Sequence, residues 1–196
     1  MDVDDTHEGS AEDGYRITNV SGVGPFAKMK LQDTPYSINV ISQDMLNNVQ
    51  ATMPVDAFKY NPYTQVYIQS GRLADNINMR GFYNTLRTQD GIRVTGAETL
   101  EDKERVEVMT GASGFMYGIG SPAGVVNYVT KRPTYSPMAN IKLGNTGGNS
   151  YYLHGDFGNA LNDDGTLAYR LNIMGQEGDT FVDYQTVHKY LLSSAL

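Results

Sequence analysis

The sequence predicts a small α+β domain with a mixed sheet and short helices, followed by a run of longer antiparallel β-strands. Three observations carry this expectation. The 21 glycines and 14 tyrosines stand beside six phenylalanines and no tryptophan, a balance that favours turns and strands over helix bundles. Short strand-like and helical stretches alternate up to Pro133. Beyond Pro133 the strand-like runs lengthen and are divided by polar turn clusters around Asn145 and Asn162.

Taken in order, residues 1–13 carry Asp2, Asp4, Asp5, Glu8, Glu12 and Asp13 with no Lys or Arg. Such a run repels itself and buries little, so residues 1–30 are expected to be a flexible acidic segment. Residues 15–26 are weakly extended, punctuated by Gly22, Gly24 and Pro25. β-Branched residues at 36–41 predict a strand. Ser42 is placed to N-cap a helix over 43–51, where Met45, Leu46 and Val49 recur at helical spacing. Pro54 opens a second short helix to about Tyr60. Strands are expected over 65–69, 76–81, 91–95, 106–110 and 125–131, with a helical turn at 100–104. Gly111, Gly114, Gly118, Gly120 and Gly124 space a segment that lacks a following Gly-Lys-Ser/Thr. It therefore reads as tight turns, not as a phosphate cradle.

After Pro133, Tyr152, His154 and Asp156 alternate with Tyr151, Leu153, Gly155 and Phe157. Residues 167–174 alternate in the same way. This pattern fits the wall of a transmembrane β-barrel. Alternation alone favours a soluble meander with one wet face, because barrel signals are weak per segment.

Composition narrows the function. With no cysteine, disulfides and thiolate chemistry are excluded. His7, His154 and His188 are scattered and form no ligand motif. Asp90, Glu104 and Glu107 have no histidine or nucleophile set beside them, so no catalytic site is expected. The net charge of −7 argues against nucleic acid as a partner.

Four words stand in order between residues 31 and 133. The first is Thr34-Pro-Tyr-Ser-Ile-Asn-Val-Ile-Ser. The second is Asn78-Met-Arg-Gly-Phe, and the third is Asp90-Gly. The last runs from Glu104-Arg-Val-Glu-Val through the glycine-rich segment to Thr130-Lys-Arg-Pro133. Together they resemble the plug domain of TonB-dependent outer-membrane receptors of the ferric-siderophore type. The resemblance implies a flexible segment at 1–30, a plug at 31–133 and the first strands of a transmembrane β-barrel at 134–196. It resolves the alternation in favour of a barrel wall. A barrel of about 22 strands needs roughly 220 residues in strands alone, and 63 follow Pro133. The barrel is therefore expected to be incomplete and the chain to be a piece of a longer receptor.

The resemblance also implies roles. It makes the chain part of a ferric-siderophore importer driven through TonB, in the outer membrane of a Gram-negative bacterium. Its barrel would face lipid. Iron arrives chelated, so no directly bound cofactor or protein metal site is implied. Arg80 and Arg105 would lock the plug to barrel carboxylates, which a guanidinium fork binds in two-pronged fashion. With those carboxylates expected beyond Leu196, local acids such as Glu107 would be the substitutes. Ligand loops at 70–75, 83–89 and 95–98 would offer Arg72, Tyr83, Asn84 and Arg87 to the chelate by charge, hydrogen bonding and cation–π contact. Tyr15, Ile17 and Val20 would form the extended segment that TonB takes by strand addition. Alternatives are a stand-alone plug-like binding module without transport, or a receptor for another chelate such as cobalamin.

Overall fold

The computed structural model describes residues 8–20, 29–66, 77–84, 86–95, 98–111, 122–180 and 183–196. The chain divides into two compact units at Thr130/Lys131.

The first unit is built on a mixed five-stranded sheet. Its strands are β3 (Ser37–Ser42), β7 (Arg87–Gln89), β8 (Ile92–Val94), β9 (Lys103–Thr110) and β10 (Gly124–Thr130), in the order β3-β9-β10-β7-β8. Only the β10–β7 pair is parallel. A second, antiparallel sheet joins β4 (Thr64–Val66), β5 (Ile77–Met79) and β6 (Phe82–Asn84). Side chains of β9 and β10 are covered on both faces. Val106, Val108, Val126 and Tyr128 pack with Ile41, Leu46, Phe58 and Met79. Met109 and Val125 pack with Leu86 on the other face. The near-continuous apolar run of a strand buried on both sides is thereby explained.

Ser42 Oγ accepts from the Met45 N–H at 3.2 Å and caps α1, Gln43–Asn48. The helix stops before Ala51 because Gln50 turns left-handed, at φ 52°, and the Ala51 N–H bonds back to the Leu46 carbonyl. Helix α2, Pro54–Phe58, is capped by Asp56, whose Oδ2 accepts from the Met53 N–H at 3.2 Å. It buries Val55, Ala57 and Phe58.

Two expectations are corrected. Residues 100–103 form a single turn, closed by Lys103 N–H to the Leu100 carbonyl, and β9 begins at once at Lys103. The expected loop at 83–89 instead contributes to strands β6 and β7. The described part of the acidic N-terminal segment carries hydrogen bonds. The Glu8 carboxylate accepts from the N–H and Oγ1 of Thr18, and the Tyr15 hydroxyl accepts from Asn48 Nδ2 at 3.0 Å. β1 (Asn19–Val20) pairs with β2 (Met29–Lys30).

Two hairpins turn on residue pairs with positive φ at both places: Arg80 (52°) with Gly81 (83°), and Asp90 (49°) with Gly91 (84°). This is the two-residue turn whose twist matches the flanking strands, and Asp-Gly is its favoured sequence. Gly124, at φ 126°, starts β10 so close to β9 that a Cβ would stand 2.0 Å from the Met109 carbonyl oxygen. Only glycine fits there.

The second unit is an antiparallel meander of β11 (Met138–Asn145), β12 (Tyr151–Ala160), β13 (Ala168–Asp179) and β14 (Thr186–Ala195). Its polarity is inverted. Ile141, Gly155, Ile173 and Leu192 form one cross-strand row. Leu143, Leu153, Gly175 and Tyr190 form the next. The large side chains of both rows are exposed, Leu143 at 79% and Leu192 at 74%. The opposite face buries His154, Asp156, Arg170, Asn172, Gln176 and Lys189. A soluble meander would bury its apolar rows. This sheet exposes them, as a barrel wall facing lipid does.

Candidate functional site

The first unit carries a buried polar network where an apolar core would be expected. Alternation places Arg105, Glu107 and Asn127 on the same face as Met109 and Val125. Glu107 is fully buried, with 0% exposure. Its Oε1 accepts from Arg105 Nε at 2.8 Å, and its Oε2 accepts from Asn127 Nδ2 at 2.8 Å. Asn127 Oδ1 in turn accepts from Thr88 Oγ1 at 2.8 Å and from the Gly91 N–H at 3.0 Å. Asn127 lies directly opposite Glu107 on one side and Thr88 on the other, so register alone aligns the network.

Arg105 also pairs with Glu104, at 2.9 Å. Adjacent residues of a regular strand point to opposite faces. Here the register shifts: Val129 faces Arg105 and Thr130 faces Lys103, leaving Glu104 as the extra residue of a β-bulge. The bulge re-aims Glu104 toward its neighbour. Burial pushes the Glu107 carboxyl above the ordinary carboxylate range. The Arg105 charge and the Asn127 hydrogen bond pull it down, and Asp90 adds to the rise.

The expected site residues fall as follows. Arg105 is paired with local acids, Glu104 and Glu107, as expected for this segment. Arg80 is exposed in the β5–β6 turn, and one of its guanidinium nitrogens lies 3.1 Å from where a Gly111 Cβ would stand. Gly111 follows the far end of β9, so the two arginines are associated with opposite ends of that strand. Tyr83 is exposed on β6, and Asn84 closes that strand. Arg87 is half-buried on β7 inside the mixed sheet, a strand position and not the loop position expected of it. Arg72 lies outside the described residues. Tyr15 sits in a left-handed turn, Ile17 is half-buried and Val20 is paired with Met29. The segment 15–20 is therefore not extended throughout.

Sequence reasoning missed a second network, within the second unit. Asp156 on β12 accepts from Arg170 through both oxygens, at 2.9 Å each, and from Lys131 Nζ at 2.7 Å. Lys131 also donates to Asn172 Oδ1 at 3.1 Å, and His154 Nε2 lies 3.3 Å from the same oxygen. The available signal was Lys131 in the Thr-Lys-Arg-Pro word and the alternation that puts His154 and Asp156 on one face. Neither indicates a pairing across strands.

Residues 30–125 match the model of the TonB-dependent receptor plug domain. Among curated proteins, the chain is 27% identical over 187 residues to the ferrichrome outer membrane transporter/phage receptor of Escherichia coli K12. That match covers 89% of this chain and 25% of the relative. It is also 27% identical over 198 residues to the ferric-pyoverdine 358 receptor of Pseudomonas putida, covering 96% and 24%. Among solved structures, the ferric-catecholate import receptor Fiu of E. coli K12 superposes with a TM-score of 0.73 at 29% identity, over 84% of this chain and 25% of that one. Pseudomonas aeruginosa FpvA with a bound heterologous pyoverdine superposes at 0.84 and 20% identity, over 99% and 26%, a likeness of fold. The chain thus spans about a quarter of the length of these receptors and transporters. Its α+β unit with a mixed sheet and its unclosed antiparallel sheet match their plug and early barrel. The chain belongs to the TonB-dependent receptors, of which it carries the plug domain and the first strands of the barrel.

Proposed function

We propose that this chain supplies the plug and early barrel of an outer-membrane receptor that binds a ferric siderophore and imports it with energy delivered through TonB. The observation that carries the reading is the pairing of a plug-type domain with a sheet whose apolar rows face outward. Relatives named for ferrichrome, pyoverdine and catecholate siderophores support the ligand class. In this reading the cell is Gram-negative, the exposed rows of β11–β14 meet lipid, and TonB acts from the periplasmic side. The iron is cargo, held by its chelator.

Arg72, Tyr83, Asn84 and Arg87 are the proposed ligand contacts. Guanidinium and phenol groups suit an anionic or aromatic chelate. Arg80 and Arg105 are proposed contacts to barrel carboxylates, Arg105 exchanging Glu104 or Glu107 for them. Tyr15, Ile17 and Val20 are proposed to meet TonB once released from their folded arrangement. Uptake of radiolabelled ferric hydroxamates, catecholates and pyoverdines by cells carrying the whole receptor tests the reading. Uptake of at least one, abolished when TonB is absent, is expected. Uptake of none, or uptake independent of TonB, refutes it. Arg72→Ala and Arg87→Ala are expected to weaken chelate binding; unchanged affinity removes them from the site.

A further inference from the structure

Asn127 is 1% exposed and uses both ends of its side-chain amide. The Gly91 N–H can only donate, so the amide oxygen must face the β7–β8 turn and the amide nitrogen must face Glu107. One rigid planar group therefore joins three partners, Glu107 on β9, Thr88 on β7 and the Gly91 backbone, and Arg105 enters through Glu107. Arg105 and Glu107 stand on one side; Thr88 and the Gly91 backbone stand on the other. The same turn has a second anchor on β10 that bypasses Asn127. The Asp90 carboxylate accepts from the Thr130 N–H at 3.0 Å and from Thr130 Oγ1 at 2.6 Å, while the Asp90 N–H donates to the Tyr128 carbonyl at 2.9 Å.

Buried amides have no water to replace a lost partner, and chains of such bonds strengthen one another. A shift of Glu107 must therefore be met by Asn127, and a shift of Asn127 by the turn. We propose that Asn127 is a positioning residue that couples the Arg105–Glu107 ion pair to the Asp90–Gly91 turn. Withdrawal of Arg105 toward another carboxylate frees Glu107 and loosens the turn through Asn127, and displacement of the turn acts back on Arg105. The use of this coupling in a receptor rests on the reading of Arg105 as a plug–barrel contact. The coupling itself lies wholly within the first unit.

Hydrogen exchange of single amides, read by NMR on the full chain in detergent micelles, tests it. Glu107→Gln is expected to speed exchange at Gly91 by about fivefold or more, the scale of one net hydrogen bond. The control is Phe82, which pairs with Met79 across the other two-residue turn and should not change. Equal changes at Gly91 and Phe82, or no change at Gly91, overturn the proposal. Should Glu107→Gln not fold, Arg105→Lys is read by the same comparison. Coupling is reciprocal, so Thr88→Val is expected to move the Arg105 Nε–H resonance; an unmoved resonance overturns the proposal. Failed uptake by the whole receptor with this coupling intact counts against the receptor reading alone. Intact uptake without the coupling counts against this inference alone.

Discussion

Lys131 and Asp156 form a buried ion pair, Nζ to Oδ2 at 2.7 Å, with side-chain exposures of 4% and 3%. Lys131 follows the last residue of β10, and Asp156 lies in the middle of β12. Arg170 completes the cluster, so one carboxylate holds two cations. The start of the second unit is thereby tied to its own sheet.

Removing that carboxylate should be costly. Asp156→Ala leaves Lys131 and Arg170 buried without it, and breaking such a pair costs about 3–5 kcal/mol. The double variant Asp156→Ala, Lys131→Met should recover part of the loss, because a buried charge is removed with its partner. Urea unfolding of the full chain in micelles reads both. A single variant as stable as the parent would show that the cluster carries no weight.

Glycine at 124 and glycine at 81 should differ sharply. A Cβ at Gly81 meets nothing within 4 Å, so Gly81→Ala carries only its positive-φ strain, on the order of 1 kcal/mol. Gly124→Ala adds a clash with the Met109 carbonyl and should unpair β9 from β10. Denaturation midpoints compare the two. Equal losses would refute the close approach at Gly124.

Glu107 makes a signed pH prediction. Its carboxyl is raised in the folded state by burial. Folded protein then binds the proton more readily than unfolded protein, so this contribution is full below the unfolded value and fades as pH rises through the folded one. Between the unfolded and the folded value, stability should fall as pH rises. Glu107→Gln should flatten the slope. A parent and a variant with parallel pH profiles would contradict the assignment.

The outward rows predict a lipid-specific cost. Ile173→Lys should reduce folding into vesicles by about 2–4 kcal/mol if the row lies near mid-membrane. Thr166→Lys, in the β12–β13 turn, should cost little. Folded fraction of the whole receptor against urea in lipid vesicles separates them. Equal tolerance of both would mean that Ile173 does not face lipid.

Much of the fold was legible because its signals are local. Ser42 as a cap and Pro54 at a helix start each act through their own backbone geometry. The words from Thr34 to Pro133 were legible as a resemblance, and the matched plug model covers most of them. Strand β7 was missed because three residues are too few to show a periodicity. The bulge at Glu104 was missed because it exists only relative to β10.

By itself, then, the sequence determined the two textures, the capped short helices and the alternation along β12 and β13. These follow from φ preferences and from a strand's period of two, which each residue expresses within a few neighbours. Tertiary structure alone decided that Asp156 gathers Lys131 and Arg170. It also decided that Asn127 bridges Glu107 to the Gly91 turn. Each depends on register between strands distant in sequence, and register is set by which face is buried once the whole sheet has assembled.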